Sequence, residues 1–404
     1  MKSSIAPKNF VPEPFKYHQE LELDIRTLTN EGRGIGQING WTIMVPFVIP
    51  GERVRVRVFK NHKNYSEADL VEVIVPSQQR VTPLCPLFGK CGGCQYQHIT
   101  YEEQLKWKRQ QIVDCYERIG KLHTEVKSLI PSKEIYGYRT KLTPHFERHG
   151  DKCPIGFLMN GSRRTIVDVP QCPIASLAIN ENLKKVREGL QDSQRHGTLL
   201  LREDDNGVTT DFNAICSSTL HGLTFKFPAG SFFQNNPYIL NSIFEFLESF
   251  IAQHSQIKSL IDTYCGVGVF GIALAKHVER FIGIEIDEKS ISLASDNMEQ
   301  NGIHNGTFIA GDAQSLFKNI AFDPDTTLLI MDPPRKGTDE LFLQQLVQYA
   351  PKYIAYISCA PDTQARDLNR LCTLSKAYNL MQVQPFDMFP QTKHMECIAI
   401  LEHL

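Results

Sequence analysis

The carboxyl-terminal part of this chain is built from short apolar runs that each end in a polar group and are separated by helix-length segments. KSLIDT, RFIGIEID, GTFIAGD, TLLIMDPP and YIAYISC follow one another in this way. Strands buried on both faces of a parallel sheet read as continuous apolar runs, and ligands of such a sheet bind beyond the carboxyl ends of its strands. The pattern therefore predicts a Rossmann-like open α/β sheet, with Glu285, Asp312, Asp332 and Cys359 along its ligand-binding edge. Cys359 alone is equally well read as a small core residue, since free cysteine is among the most buried residue types.

The junction LIDTYCGVGVFGIALA, residues 260–275, carries Gly266, Gly268 and Gly271 between a strand and a helix. Glycines permit a tight turn and a close approach of ligand to backbone, but the pattern also serves dinucleotides or plain packing. The next two strands discriminate. Glu285 falls about 20 residues on, where a carboxylate accepts hydrogen bonds from ribose hydroxyls. Asp312 in FIAGDAQS follows a third strand and suits an adenine amino group. The implied ligand is S-adenosyl-L-methionine; nothing downstream supplies the groups that hydride transfer from NAD would need.

Several segments together resemble the 5-methyluridine RNA methyltransferases, which modify tRNA or rRNA. They are Tyr264-Cys265-Gly266-Val267-Gly268, Asp332-Pro333-Pro334-Arg335, Ser358-Cys359, His394-Met395-Glu396 and Gly230-Ser231-Phe232-Phe233-Gln234-Asn235. The chemistry that this implies has a plain logic. Carbon 5 of uracil is a poor nucleophile, and adding a thiolate to carbon 6 turns it into an enolate that attacks a methyl donor. The adduct must then lose its carbon 5 proton and expel the thiolate, so one nucleophile and one separate base are required. Resemblance assigns these roles to Cys359 and Glu396. It further implies that Gln234, Tyr264, Glu285 and Asp332 bind the donor, with Asp312 beside them, and that Asp332 and Gln234 lie near a target base flipped out of the RNA.

The chain departs from the family pattern at two places. Ala360 follows the nucleophile where an asparagine or aspartate is usual, and Val269 stands where many members are polar. These departures motivate a catalytically silent RNA-binding or folding factor as one alternative. An RNA cytosine-5 methyltransferase is another, although such enzymes pair a proline-cysteine nucleophile with a second cysteine, whereas Ser358 precedes Cys359 here.

There are 11 cysteines in 404 residues, too few for a disulfide scaffold of this size. Cys85, Cys91 and Cys94 form a C-x5-C-x2-C group, and Cys172, followed by proline, is a plausible fourth ligand, with Cys153 the competitor. Four thiolates suit either structural zinc or an iron–sulfur cluster. Resemblance to cluster-bearing family members implies a [4Fe-4S] cluster on Cys85, Cys91, Cys94 and Cys172.

At the other end, LELDIRTL, WTIMVPFV, ERVRVRVFKN and ADLVEVIVP are strand-like, with turns at Asn30-Glu31-Gly32, Asn39-Gly40 and Pro50-Gly51. These features predict a small OB-type β-barrel. EGRGIGQINGWTIMVPFVIPGERV resembles the TRAM RNA-binding domain. Arg53, Arg55, Arg57, Lys60 and Lys63 would line a phosphate-tracking face with Phe59 and Tyr65 for stacking; the plainer reading of the arginines is a solvated strand face.

The expected organisation is three modules: a TRAM barrel over 12–76, a central α+β iron–sulfur and RNA-binding domain over 77–230, and the methyltransferase domain over 231–404. Helices are expected over 101–121 and 235–248. The net charge of −2 does not announce nucleic acid, so local basic segments such as Arg139 with Lys141 must carry that case. No apolar run is long enough to span a membrane. A monomeric cytoplasmic protein acting on rRNA or tRNA is the resulting expectation, with no membrane partner.

Overall fold

Valine and arginine alternate along RVRVRVFKN, residues 53–61, so one face of that strand must be apolar and the other charged. The computed structural model describes residues 6–190, 194–311, 317 and 320–404. It divides into two compact units, Met1–Gln111 with Phe157–Val167 and Gln391–Lys393, and Ile112–Gly156 with Asp168–Pro390 and His394–Leu404.

In the first unit, β1 (Glu20–Leu28), β2 (Gly34–Ile38), β3 (Trp41–Val45), β4 (Arg53–Asn61) and β5 (Tyr65–Val75) close into a barrel in the order β1-β2-β3-β5-β4. Val54, Val56 and Val58 point inward with Leu23, Ile25, Ile43 and Val45. Gly34 and Gly36 are required by packing: a Cβ there would lie 2.2 Å from Val48 and 2.0 Å from Leu23. Asn39 and Gly40 both have positive φ, 50° and 80°, as the two-residue turn between β2 and β3 demands. The arginines of β4 do not form an open cationic face. Arg53 and Arg55 pair with Glu22 on β1, Arg55 also pairs with Glu72 on β5, and Arg57 with Asp69. Exposed pairs of this kind contribute little to stability, but they cancel most of the charge that phosphate would meet.

Helix α1 (Tyr101–Cys115) runs from one unit into the other and ends in a π-helical turn, Tyr116–Gly120, closed by Lys121 in the left-handed region. Chain order then gives β6 (Lys141–Leu142), β7 (His145–Glu147), β8 (Ile155–Leu158), β9 (Ile166–Asp168), α2 (Leu177–Gly189), β10 (His196–Thr198), β11 (Leu201–Asp204), β12 (Gly207–Thr209), β13 (Ile215–Leu220) and β14 (Leu223–Pro228). β11 pairs with β6 and β12, and β13 with β14, all antiparallel. Helix α3 (Pro237–Gln253) begins two residues later than expected. Asn236 caps it by accepting from the Tyr238 amide, and Pro237 occupies the first turn.

The rest of the second unit is α4 (Val269–Leu274), α5 (Glu288–Gln300), α6 (Glu340–Tyr349) and α7 (Pro361–Leu374) around a seven-stranded sheet. Its strands are β15 (Ser259–Thr263), β16 (Arg280–Glu285), β17 (Gly306–Ala310), β18 (Thr327–Met331), β19 (Tyr353–Ser358), β20 (Tyr378–Phe386) and β21 (Glu396–His403), in the order β17-β16-β15-β18-β19-β21-β20. β15 to β19 are mutually parallel, and β21 inserts antiparallel between β19 and β20. Every residue of β15, β18 and β19 is buried, which is why these strands are continuous apolar runs in the sequence. Among the described residues no helix is long and apolar enough to cross a membrane.

Candidate active site

Three parallel strands end in register beneath the glycine loop. Thr263 pairs with Met331 and with Ile284, so Tyr264, Asp332 and Glu285 lie at the same edge of the sheet. Tyr264 has a φ of 61°, unusual for a side chain of its size, and Gly266 and Gly268 follow at 54° and 86°. Asp262 is fully buried and accepts the Gly271 amide at 2.8 Å, tying the start of α4 back to β15. Burial, with Asp332 and Glu285 as anionic neighbours, pushes its carboxyl up to about 7.

Glu285 accepts the Gly266 amide on one oxygen at 3.1 Å, and the Ile286 and Asp287 amides on the other. The carboxylate thus locks the glycine loop to the end of β16. A Cβ built on Gly266 meets nothing, so the loop leaves open space beside this anchored carboxylate. An open backbone cradle with a carboxylate at its wall fits an adenosine-containing donor. Val269 is partly buried and packs against the hydrophobic core. Asp312 lies outside the described residues.

Cys359 and Glu396 come together through the antiparallel insertion of β21. Ser358 pairs with Cys397, so the next cross-strand step sets Cys359 against Glu396. Their electrostatics agree with this. Burial pushes the Cys359 thiol up to about 11, Glu396 and Asp332 add to the rise, and Arg335 opposes it by charge and by a hydrogen bond. Glu396 is only 6% exposed and is raised well above the ordinary carboxylate range by burial and by Asp332, again with Arg335 in opposition. Burial alone raises Asp332 to about 7. A thiol, two acids shifted upward by burial and one cation therefore occupy one sheet edge.

The loop carrying Arg335 is fixed by Asp367, a fully buried residue of α7 that sequence reading passed over. Asp367 accepts the Thr338 amide and the Tyr356 hydroxyl, each at 3.0 Å, and pairs with Arg366. A Cβ on Gly337 would lie 2.1 Å from its carboxylate, so the loop can dock there only as glycine. Gln364 was missed too; its amide donates to the carbonyls of Tyr356 and Cys397, clamping together β19 and β21, at whose ends Cys359 and Glu396 lie. The Ser358 hydroxyl accepts the Ala360 amide at 3.1 Å, spanning Cys359, while Ala360 caps α7 without a side-chain bond. The departure at 360 removes a helix cap and leaves the reacting groups in place.

Gln234 is half-buried in the loop between β14 and α3. Of the cysteines, Cys85, Cys91 and Cys94 belong to the first unit and Cys172 to the second. Burial pushes the Cys91 thiol up, and Cys85 is near enough to add to the effect. Among the described residues no group of three or more histidine, cysteine or acidic side chains is arranged to hold a metal ion.

Comparison with known proteins decides between the readings of this edge. A family model described as tRNA (uracil-5-)-methyltransferase matches residues 211–404, and a TRAM domain model matches residues 15–71. A tRNA (uracil(54)-C(5))-methyltransferase of Schizosaccharomyces pombe is 39% identical, covering 96% of this chain and 79% of that protein. The chain belongs to the tRNA (uracil-5-)-methyltransferase family. The enzyme of the same description from Saccharomyces cerevisiae is 32% identical over 97% of this chain and 75% of its own length. The crystal structure of Pyrococcus abyssi tRNA (uracil-54, C5)-methyltransferase, in complex with S-adenosyl-L-homocysteine, superposes with a TM-score of 0.72 at 25% identity, covering 94% of this chain and 99% of that one. This methyltransferase acts on carbon 5 of uracil in RNA with S-adenosylmethionine as donor. Both the cytosine-5 and the silent-factor readings give way to that activity.

Proposed function

We propose that the enzyme methylates a uridine of tRNA, at the position corresponding to uracil 54 of its fungal relatives, through a covalent bond between Cys359 and carbon 6. The observation that carries this is the cross-strand placement of Cys359 against Glu396 at the edge where Asp332 and Arg335 also lie. Tyr264, Gln234, Glu285 and Asp332 would hold the donor, with Asp312 as a further contact; the donor supplies an electrophilic methyl group. Arg335 lowers the cost of forming the Cys359 thiolate, whose Sγ adds to carbon 6 and pushes electrons onto carbon 5. Carbon 5 would bond to the donor's methyl carbon as that carbon's bond to the sulfonium sulfur breaks, leaving S-adenosylhomocysteine; Glu396 then takes the proton from carbon 5, and the re-formed double bond expels the Cys359 thiolate. Nucleoside analysis of tRNA from a deletion strain should lack 5-methyluridine at that one position, and the purified enzyme should restore it. Methylation of rRNA alone would redirect the substrate assignment.

The acids set the pH response. Glu396 must be ionised to accept a proton, and the resting groups are shifted upward, Asp332 to about 7 and Glu396 in the same direction. The Cys359 thiol, held up at about 11, must ionise as well, so kcat/KM should keep rising with pH from neutrality into the alkaline range; Arg335→Met should move the rise to higher pH, because the thiol loses its stabilising cation. A profile flat from acid to alkaline pH would contradict a base with this environment.

A [4Fe-4S] cluster on Cys85, Cys91, Cys94 and Cys172 belongs to the same reading. Its support is the spacing of the first three cysteines and the nearness of Cys85 to Cys91. No step of the methyl transfer runs through it. Anaerobically purified protein should be brown with about four irons per chain, and Cys172→Ser should lower that content while Cys153→Ser should not. Colourless protein with neither iron nor zinc would leave the thiols as ordinary side chains.

A further inference from the structure

Arg202, on β11, is 1% exposed, and the methyl-transfer chemistry has no use for its charge. Its partners among the described residues are all neutral. Nε donates to the Ala229 carbonyl at 3.4 Å, Nη1 to the Asn235 side-chain oxygen at 3.1 Å, and Nη2 to the Ser231 carbonyl at 3.1 Å. The guanidinium also lies over the Phe227 ring, 5.3 Å from its centre, and Phe227 stacks on Phe233 at 3.7 Å. From the neighbouring strand β6, Lys141 donates to the Gly230 and Ser231 carbonyls, and the Thr140 amide to the Asn235 carbonyl at 3.0 Å.

Two cations thus converge on the Ser231 carbonyl, and no acid among the described residues bonds to either. The arrangement is costly: burial, with positive neighbours in support, pulls Lys141 down to about 8, and burial pulls Arg202 down to about 10. What it secures is a loop fixed on both sides of a single residue. Phe233 is packed into the core and Asn235 is gripped from two strands, so Gln234 between them has little backbone freedom left. A planar guanidinium can serve three acceptors in a fixed fork, which an ammonium or an amide cannot.

We infer that Arg202 is a positioning residue for Gln234, acting through the loop and Asn235 to set the geometry of methyl-donor binding. The inference rests on the assignment of Gln234 to the donor site. The test measures S-adenosylhomocysteine affinity by calorimetry, and kcat and donor KM on tRNA, for full-length Arg202→Gln, Arg202→Lys, Asn235→Ala and Gln234→Ala. Arg202→Gln should weaken donor affinity about tenfold or more, raise donor KM further than it lowers kcat at saturating donor, and not be rescued by Arg202→Lys. Asn235→Ala should weaken affinity less, and the Arg202→Gln, Asn235→Ala double variant should fall short of the sum. Wild-type affinity in Arg202→Gln and Asn235→Ala while Gln234→Ala is impaired would overturn the inference alone. Should Arg202→Gln fail to fold, unchanged affinity in Asn235→Ala overturns it. Wild-type affinity in Gln234→Ala removes the donor-site assignment, and the inference falls with it.

Discussion

Cys359→Ala should abolish methyl transfer while S-adenosylhomocysteine still binds with near wild-type affinity. The thiol stands at the end of β19, one step beyond the Ser358–Cys397 pair, whereas the groups assigned to the donor lie at the ends of β15, β16 and β18 and in the loop before α3. Removing Sγ takes away the only means of activating carbon 5, and loss of a covalent nucleophile is not compensated by binding. The measurement is transfer of a radiolabelled methyl group to unmodified tRNA beside calorimetric donor binding. Residual transfer above about one per cent would mean that another group attacks carbon 6.

Glu396→Gln is expected to separate bond making from bond breaking. Its amide nearly matches the carboxyl in shape, so the strand pairing that sets it against Cys359 survives, and addition and methylation proceed. Proton removal from carbon 5 does not, and loss of a positioned base slows that step by about 10²–10⁴-fold. Methylated RNA should stay attached to the protein through denaturation, visible as a slow-moving band that nuclease treatment collapses. A variant that turns over normally, without such a species, would assign proton removal to another group.

How far the site was readable from the sequence depended on where each partner comes from along the chain. Strands β15, β18 and β19 announced themselves because burial on both faces leaves no polar alternation, and Asp332 and Cys359 each follow such a run, while Glu285 closes the partly exposed β16. Glu396 was different. Nothing local says that β21 slips antiparallel between β19 and β20, and that insertion alone makes Glu396 the neighbour of Cys359. The role of Glu396 therefore came from family resemblance.

Register explains the other shortfalls. The arginines of β4 looked like a phosphate track, and their actual partners Glu22, Asp69 and Glu72 depend on how β1 and β5 align with β4. Arg202 sits in GTLLLRE, where an arginine after leucines reads as a strand end facing water. Its burial follows from carbonyls offered by residues 229–231, nearly thirty positions away. Asp367 and Gln364 likewise resemble ordinary polar positions of an amphipathic helix until the loop at Gly337 and the carbonyls of Tyr356 and Cys397 are placed beside them.

The most direct test of the account uses tRNA containing 5-fluorouridine. Fluorine at carbon 5 leaves no proton for Glu396 to remove, so the wild-type enzyme, given S-adenosylmethionine, should halt as a methylated covalent adduct. Digestion and mass spectrometry should then find one nucleotide-bearing peptide, with the RNA fragment on Cys359 and one added methyl group. An adduct on another residue such as Cys397, or methylated RNA released with no protein attached, would contradict the mechanism.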